Sequence, residues 1–187
     1  MSLLQLKMEL QDLQKEIGNV REEIYKRIIV KAESQQSSAF KAFEDKFSSL
    51  GFDVTKGQSR TQIDSKSYEV KTLTATYSGL SYELEAPEIS APYMGILNPL
   101  TFRDKDKNSK VDIWIVESEK PNESRTFAPP KEETERIKQS VSHANEDLEK
   151  LKNYLSNIDE AKVKFVFAGN RRQAYTNFED VLDILIK

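Results

Sequence analysis

Leu3, Leu6, Leu10, Leu13, Ile17, Val20 and Ile24 recur at alternating spacings of three and four, a heptad stripe that predicts a long amphipathic helix. With Leu3 at position a, the g and e positions read Glu9/Gln14 and Glu16/Arg21, and the second of these would attract across a parallel seam. Gly18 falls on the outer face, where it costs about 1 kcal/mol of helix propensity without disturbing the seam. The stripe fails at Arg27 and Lys31, so the pattern predicts a helix over about 2–31, roughly 45 Å long.

A second stripe of the same kind lies far downstream. Ile137, Val141, Ala144, Leu148, Leu151, Leu155 and Ile158 alternate four and three, with charged and amide residues filling the positions between. Pro129-Pro130 and the acidic pair Glu132-Glu133 mark its start, since negative charge suits the positive end of a helix dipole. The expected helix covers 131–158. Two narrow seams of matched length are read as an antiparallel intramolecular pair, as separate surfaces for oligomerisation, or as one seam plus a helix packed on a sheet.

Between and after these helices the periodicity changes. Residues 33–50, with Ala39, Phe40, Phe43, Phe47 and Leu50, keep helical spacing and stop at Gly51, a C-cap signal. Extended runs follow at Phe52–Thr55, Thr61–Ile63, Ser67–Tyr77 and Leu80–Glu85. They are separated by the turn residues Lys56-Gly57, Asp64-Ser65 and Ser78-Gly79. All six prolines fall from Pro87 to Pro130, which makes 86–110 loop-rich, and 86–102 reads as an irregular apolar excursion. Val111–Val116 and Val163–Ala168 read as buried strands, and Phe178–Ile186 as a short terminal helix. Strands flanking a long helix suggest a right-handed β-α-β crossover with the two strands parallel. The expected fold is therefore α+β, with a long heptad-patterned N-terminal helix over 1–32. A mixed β-sheet domain over 33–187 would contain the crossover through the second long helix.

Composition narrows the function classes. The chain of 187 residues is 32% charged, carries a net charge of −3 and has no cysteine. Disulfides, thiolate metal sites and cysteine nucleophiles are thereby excluded. The single histidine, His143, excludes multi-histidine metal sites and argues against a serine–histidine triad. The acidic balance argues against general capture of nucleic acid or of an anionic membrane. Met1–Leu10 is interrupted by Lys7 and Glu9, unlike a signal peptide, and no apolar run is long enough to cross a bilayer. A cytoplasmic location with no membrane partner is the expectation.

One constellation supports a catalytic reading. Glu69-Val70-Lys71 is a Glu-x-Lys in a predicted strand, preceded by Asp53 and Asp64. Over residues 33–75 the chain resembles metal-dependent nucleases of the restriction-enzyme-like type. These place an aspartate and a Glu-x-Lys on adjacent strands. That resemblance implies Mg²⁺ held by Asp53 or Asp64 with Glu69, and Lys71 orienting the attacking water on a nucleic acid substrate. The chain departs from the family in lacking Pro-Asp or Gly-x-Asp before the site, and in following Glu-x-Lys with more extended sequence rather than a helix. A solvated strand face is the plainer account of Glu69 and Lys71.

Other features have plainer readings. His143 suits a helix surface, Arg171-Arg172 a loop or an anion grip, and Tyr77, Tyr82 and Tyr93 among acidic residues a solvated hairpin or a face for a basic protein. The expectation from sequence is a non-enzymatic adaptor that forms a homo-oligomer or docks a protein partner through Leu3, Leu6, Leu10, Leu13, Ile17, Val20 and Ile24, with no cofactor. The alternative is a Mg²⁺-dependent nuclease, or a degenerate relative, and only that alternative calls for a nucleic acid partner.

Overall fold

Ser2 and Gln5 open the first helix with a reciprocal cap. The Gln5 backbone N–H donates to Ser2 Oγ at 3.3 Å, and the Ser2 backbone N–H donates to Gln5 Oε1 at 2.8 Å. From there a computed structural model, which describes residues 2–63, 66–87, 96–117 and 132–187, follows one helix, α1, over Leu3–Ser49. The separate helices expected over 2–31 and 33–50 are continuous because no glycine or proline lies between Lys31 and Leu50. The buried stripe also runs on through Ile28, Ala32, Gln36, Ala39, Phe43 and Phe47.

The helix stops where Gly51 adopts φ +85°, a conformation that glycine reaches without strain. Phe52 N–H then donates to the Phe47 carbonyl at 3.0 Å and Gly51 N–H to the Ser48 carbonyl at 3.0 Å. The Phe52 ring packs edge-on against Phe47 at 5.2 Å. Together these form a Schellman stop with its hydrophobic contact.

Seven strands follow in one antiparallel sheet whose spatial order is the chain order. They are β1 (Asp53–Ile63), β2 (Lys66–Tyr77), β3 (Leu80–Pro87), β4 (Ile96–Asp104), β5 (Ser109–Glu117), β6 (Val163–Phe167) and β7 (Asn170–Tyr175). The β2–β3 turn has positive φ at both Ser78 and Gly79, the twist that a two-residue hairpin needs. Helix α2 (Glu133–Ser156) lies between β5 and β6 in sequence and is followed by a 3-10 turn at Ile158–Glu160; α3 (Phe178–Leu185) closes the fold.

Several expectations are corrected. Lys56-Gly57 is no turn, for β1 runs straight through it with Gly57 opposite Thr72. The irregular excursion over 86–102 begins and ends in strand, at Pro87 and from Ile96, and residues 88–95 lie outside the described residues. A strand, β7, occupies Arg171-Arg172. The β-α-β crossover is replaced by antiparallel pairing of β5 with β6, Ile113 opposite Phe167 and Ile115 opposite Phe165. A crossover helix must pack on the sheet it bridges. Helix α2 instead spends its apolar stripe on α1, leaving the strands to meet as neighbours.

Two compact units divide the chain. One comprises residues 1–28 and 119–161, and its core is the contact of Leu6 and Ile17 on α1 with Ile137, Val141, Ala144, Leu148 and Leu151 on α2. The other comprises residues 29–118 and 162–187 and holds the sheet. Its core packs Phe43 against Phe102 and Phe47 against Tyr82, and Phe165 of β6 against Phe178 of α3. Among the described residues no helix is long and apolar enough to cross a membrane.

Candidate functional site

The heptad seam read from the sequence is filled from within the chain. Leu6 packs with Ile137 and Val141, and Ile17 with Ala144, Leu148 and Leu151; Leu3, Leu10, Leu13, Val20 and Ile24 are partly buried alongside. Rising numbers on α1 meet rising numbers on α2, so the pair runs parallel, not antiparallel. Charge agrees with that direction. Glu16 at a g position pairs with Lys152 at the following e position of α2, and Glu133 pairs with Lys7 in the reciprocal sense at 2.8 Å. The Lys7 ammonium donates to Glu133 and, with its charge, holds that carboxyl below the usual carboxylate range.

The outer flank of α1 keeps apolar groups in water. Leu4 is 68% exposed and Met8 57%. Met8 lines a shallow groove with Gln5, Leu13, Glu9, Asp12 and Glu16, so an apolar strip lies beside acidic side chains.

The Glu-x-Lys constellation sits in the other unit. Glu69 lies opposite Arg60 and Lys71 opposite Gln58, and both side chains are exposed. Asp53 lies opposite Thr76, seven positions along the β1 ladder from Arg60 (60 − 53 = 7), or about 23 Å at 3.3 Å per residue. An odd separation also puts it on the opposite face of the sheet. Asp53 is therefore not brought to Glu69 and Lys71, and Asp64 lies outside the described residues. Among the described residues no group of three or more Asp, Glu, His or Cys is placed to hold a metal ion.

Lys71 has different company, which sequence reasoning missed. It lines a cleft of about 550 Å³ between α1 and the β1–β2 hairpin. Helix α1 supplies Gln36, Ser37, Phe40, Lys41 and Glu44, and the strands supply Lys56, Gly57, Gln58, Thr72 and Leu73. Gln36 is buried and anchors the end of β3, donating from Nε2 to the Pro87 carbonyl at 3.1 Å. Lys56 pairs with Glu44 at 3.0 Å. No local pattern announces the cleft, because strand register and the helix crossing alone bring positions 41, 56 and 71 together.

The remaining candidates resolve into structure. Tyr82 is half-buried, with its ring packed against Phe47 and Phe102. Tyr77 packs on Phe52 while staying half exposed, and Tyr93 lies outside the described residues. Arg172 is exposed on β7, and His143 is half-buried on α2. The other groups pulled from their ordinary ionisation are surface ion pairs: Asp183 and Glu22 are lowered by hydrogen bonds from Lys46 and Lys26, and Lys26 is raised by Glu22. The chain matches no known family model, no characterised protein and no solved structure.

Proposed function

We propose that the chain is a non-enzymatic interaction protein whose coiled-coil arm, α1 with α2, docks a helix of a protein partner or of a second copy. The observation that carries this reading is the outer flank of α1. Leu4 and Met8 stay in water although α2 has already filled the inner seam. Exposed apolar side chains beside a groove mark contact surfaces more often than scattered single ones do. Glu9 and Asp12 along the same groove favour an occupant with an apolar stripe and basic flanks.

The test combines mass and proximity. Sedimentation of the full chain is expected to show association that Leu4→Asp with Met8→Asp abolishes, or a photo-crosslinker at position 8 is expected to trap one discrete protein partner in cells. A 21.5 kDa monomer at all concentrations, with no discrete crosslink from position 8, contradicts the proposal.

A further inference from the structure

The cleft between α1 and the β1–β2 hairpin has a charge balance opposite to that of the chain. Three lysines, Lys41, Lys56 and Lys71, line it against one carboxylate, Glu44, which is already paired with Lys56. Among the described residues neither Lys41 nor Lys71 has an ion-pair partner, so the lining carries two more positive than negative side chains (3 − 1) in a protein of net charge −3. A local excess of this kind concentrates anions at one place rather than over a whole face.

The rest of the lining says what kind of anion. Phe40 and Leu73 are apolar walls, and Ser37, Gln58 and Thr72 carry hydrogen-bonding side chains. A volume of about 550 Å³ lies within the range of small-molecule sites and far exceeds what inorganic phosphate occupies. A bare ion would satisfy the lysines and leave the apolar walls wet. We infer that this cleft binds an organic phosphomonoester of nucleoside-monophosphate size, with its dianionic phosphate between Lys41 and Lys71 and its ring against Phe40. This inference is independent of partner docking by the arm, which lies in the other unit.

Calorimetric titration of the full chain with adenosine 5′-monophosphate, adenosine and inorganic phosphate tests it. The monophosphate is expected to bind at least about tenfold more tightly than either fragment, because only it uses both the lysines and the apolar walls. Lys41→Gln with Lys71→Gln is expected to weaken it about tenfold or more, with Lys15→Gln, in the other unit, as the neutral control. Glu44→Gln removes the one opposing charge and is expected to tighten binding several-fold, a gain that misfolding could not imitate. Four results would overturn the inference: no binding of the monophosphate at millimolar concentration, equal binding by the lysine double variant, equal binding of adenosine, or binding confined to an oligonucleotide.

Discussion

Residues 3–24 and 28–47 of α1 belong to one helix, yet they meet their surroundings by different rules. The first stretch lays a narrow heptad seam on a single helix, where only Leu6 and Ile17 of the seven seam residues are buried and the other five are partly so. The second lays Phe43 and Phe47 on a sheet, where both are sealed from water. A two-helix seam removes one stripe from solvent and leaves its margins wet. A helix on a sheet is enclosed from several directions and makes many more van der Waals contacts per side chain. Continuity of the backbone therefore does not imply uniform stability, and the seam half should open before the sheet half.

Substitutions that empty one half but not the other make the contrast measurable. Phe43→Ala removes a ring that packs on both Phe47 and Phe102, and is expected to cost about 3–5 kcal/mol in urea unfolding of the sheet unit. Ile17→Ala in the seam is expected to cost only about 2 kcal/mol, the low end for such truncations, because its margins relax into water. Hydrogen exchange would locate that loss in 3–28 and 133–156, with strand amides unchanged. Gly18→Ala should do the reverse. A Cβ at Gly18 meets nothing within 4 Å, so the exposed helix gains about 0.5–1 kcal/mol and exchange over 3–28 slows.

The smallest effect is electrostatic. The Glu133 carboxyl is lowered by its hydrogen bond from Lys7, so the pair's contribution is present above the ordinary carboxylate range and is lost as pH falls through the lowered value. Lys7→Gln is thus expected to speed exchange of the seam slightly at neutral pH and to change nothing in acid or in high salt. A Lys7→Gln difference that persisted in acid would show the pair to be incidental.

Sequence periodicity carried the two heptad helices well, because seven apolar positions at three–four spacing line one face of a helix and would scatter over both faces of a strand. It did not carry their direction. That information was nonetheless present: the stripes superimpose at a constant offset (137 − 6 = 131), setting Leu6, Leu10, Leu13 and Ile17 beside Ile137, Val141, Ala144 and Leu148. At that offset Glu16 and Lys152, and Lys7 and Glu133, fall at complementary g and e positions, as only a parallel pair requires. The sheet was harder. β4 carries Pro99 and a register shift between Ile96 and Asn98, and β1 carries Gly57, so both imitate turns. β7 is an edge strand of polar residues with no apolar alternation to reveal it. The Glu69 and Lys71 pair was visible as a motif, but strand register moved Asp53 away and gave Lys71 a lysine-rich cleft instead.

Parallel pairing of α1 with α2 inside one chain is most directly tested by disulfide trapping, which the absence of native cysteine makes clean. Leu13→Cys with Ala144→Cys places two thiols at facing seam positions and is expected to close on oxidation into a monomeric crosslink. Leu6→Cys with Leu155→Cys, which only an antiparallel pair would join, is expected to stay reduced. A crosslink from the second pair, or covalent dimers from the first, would contradict the parallel intramolecular seam.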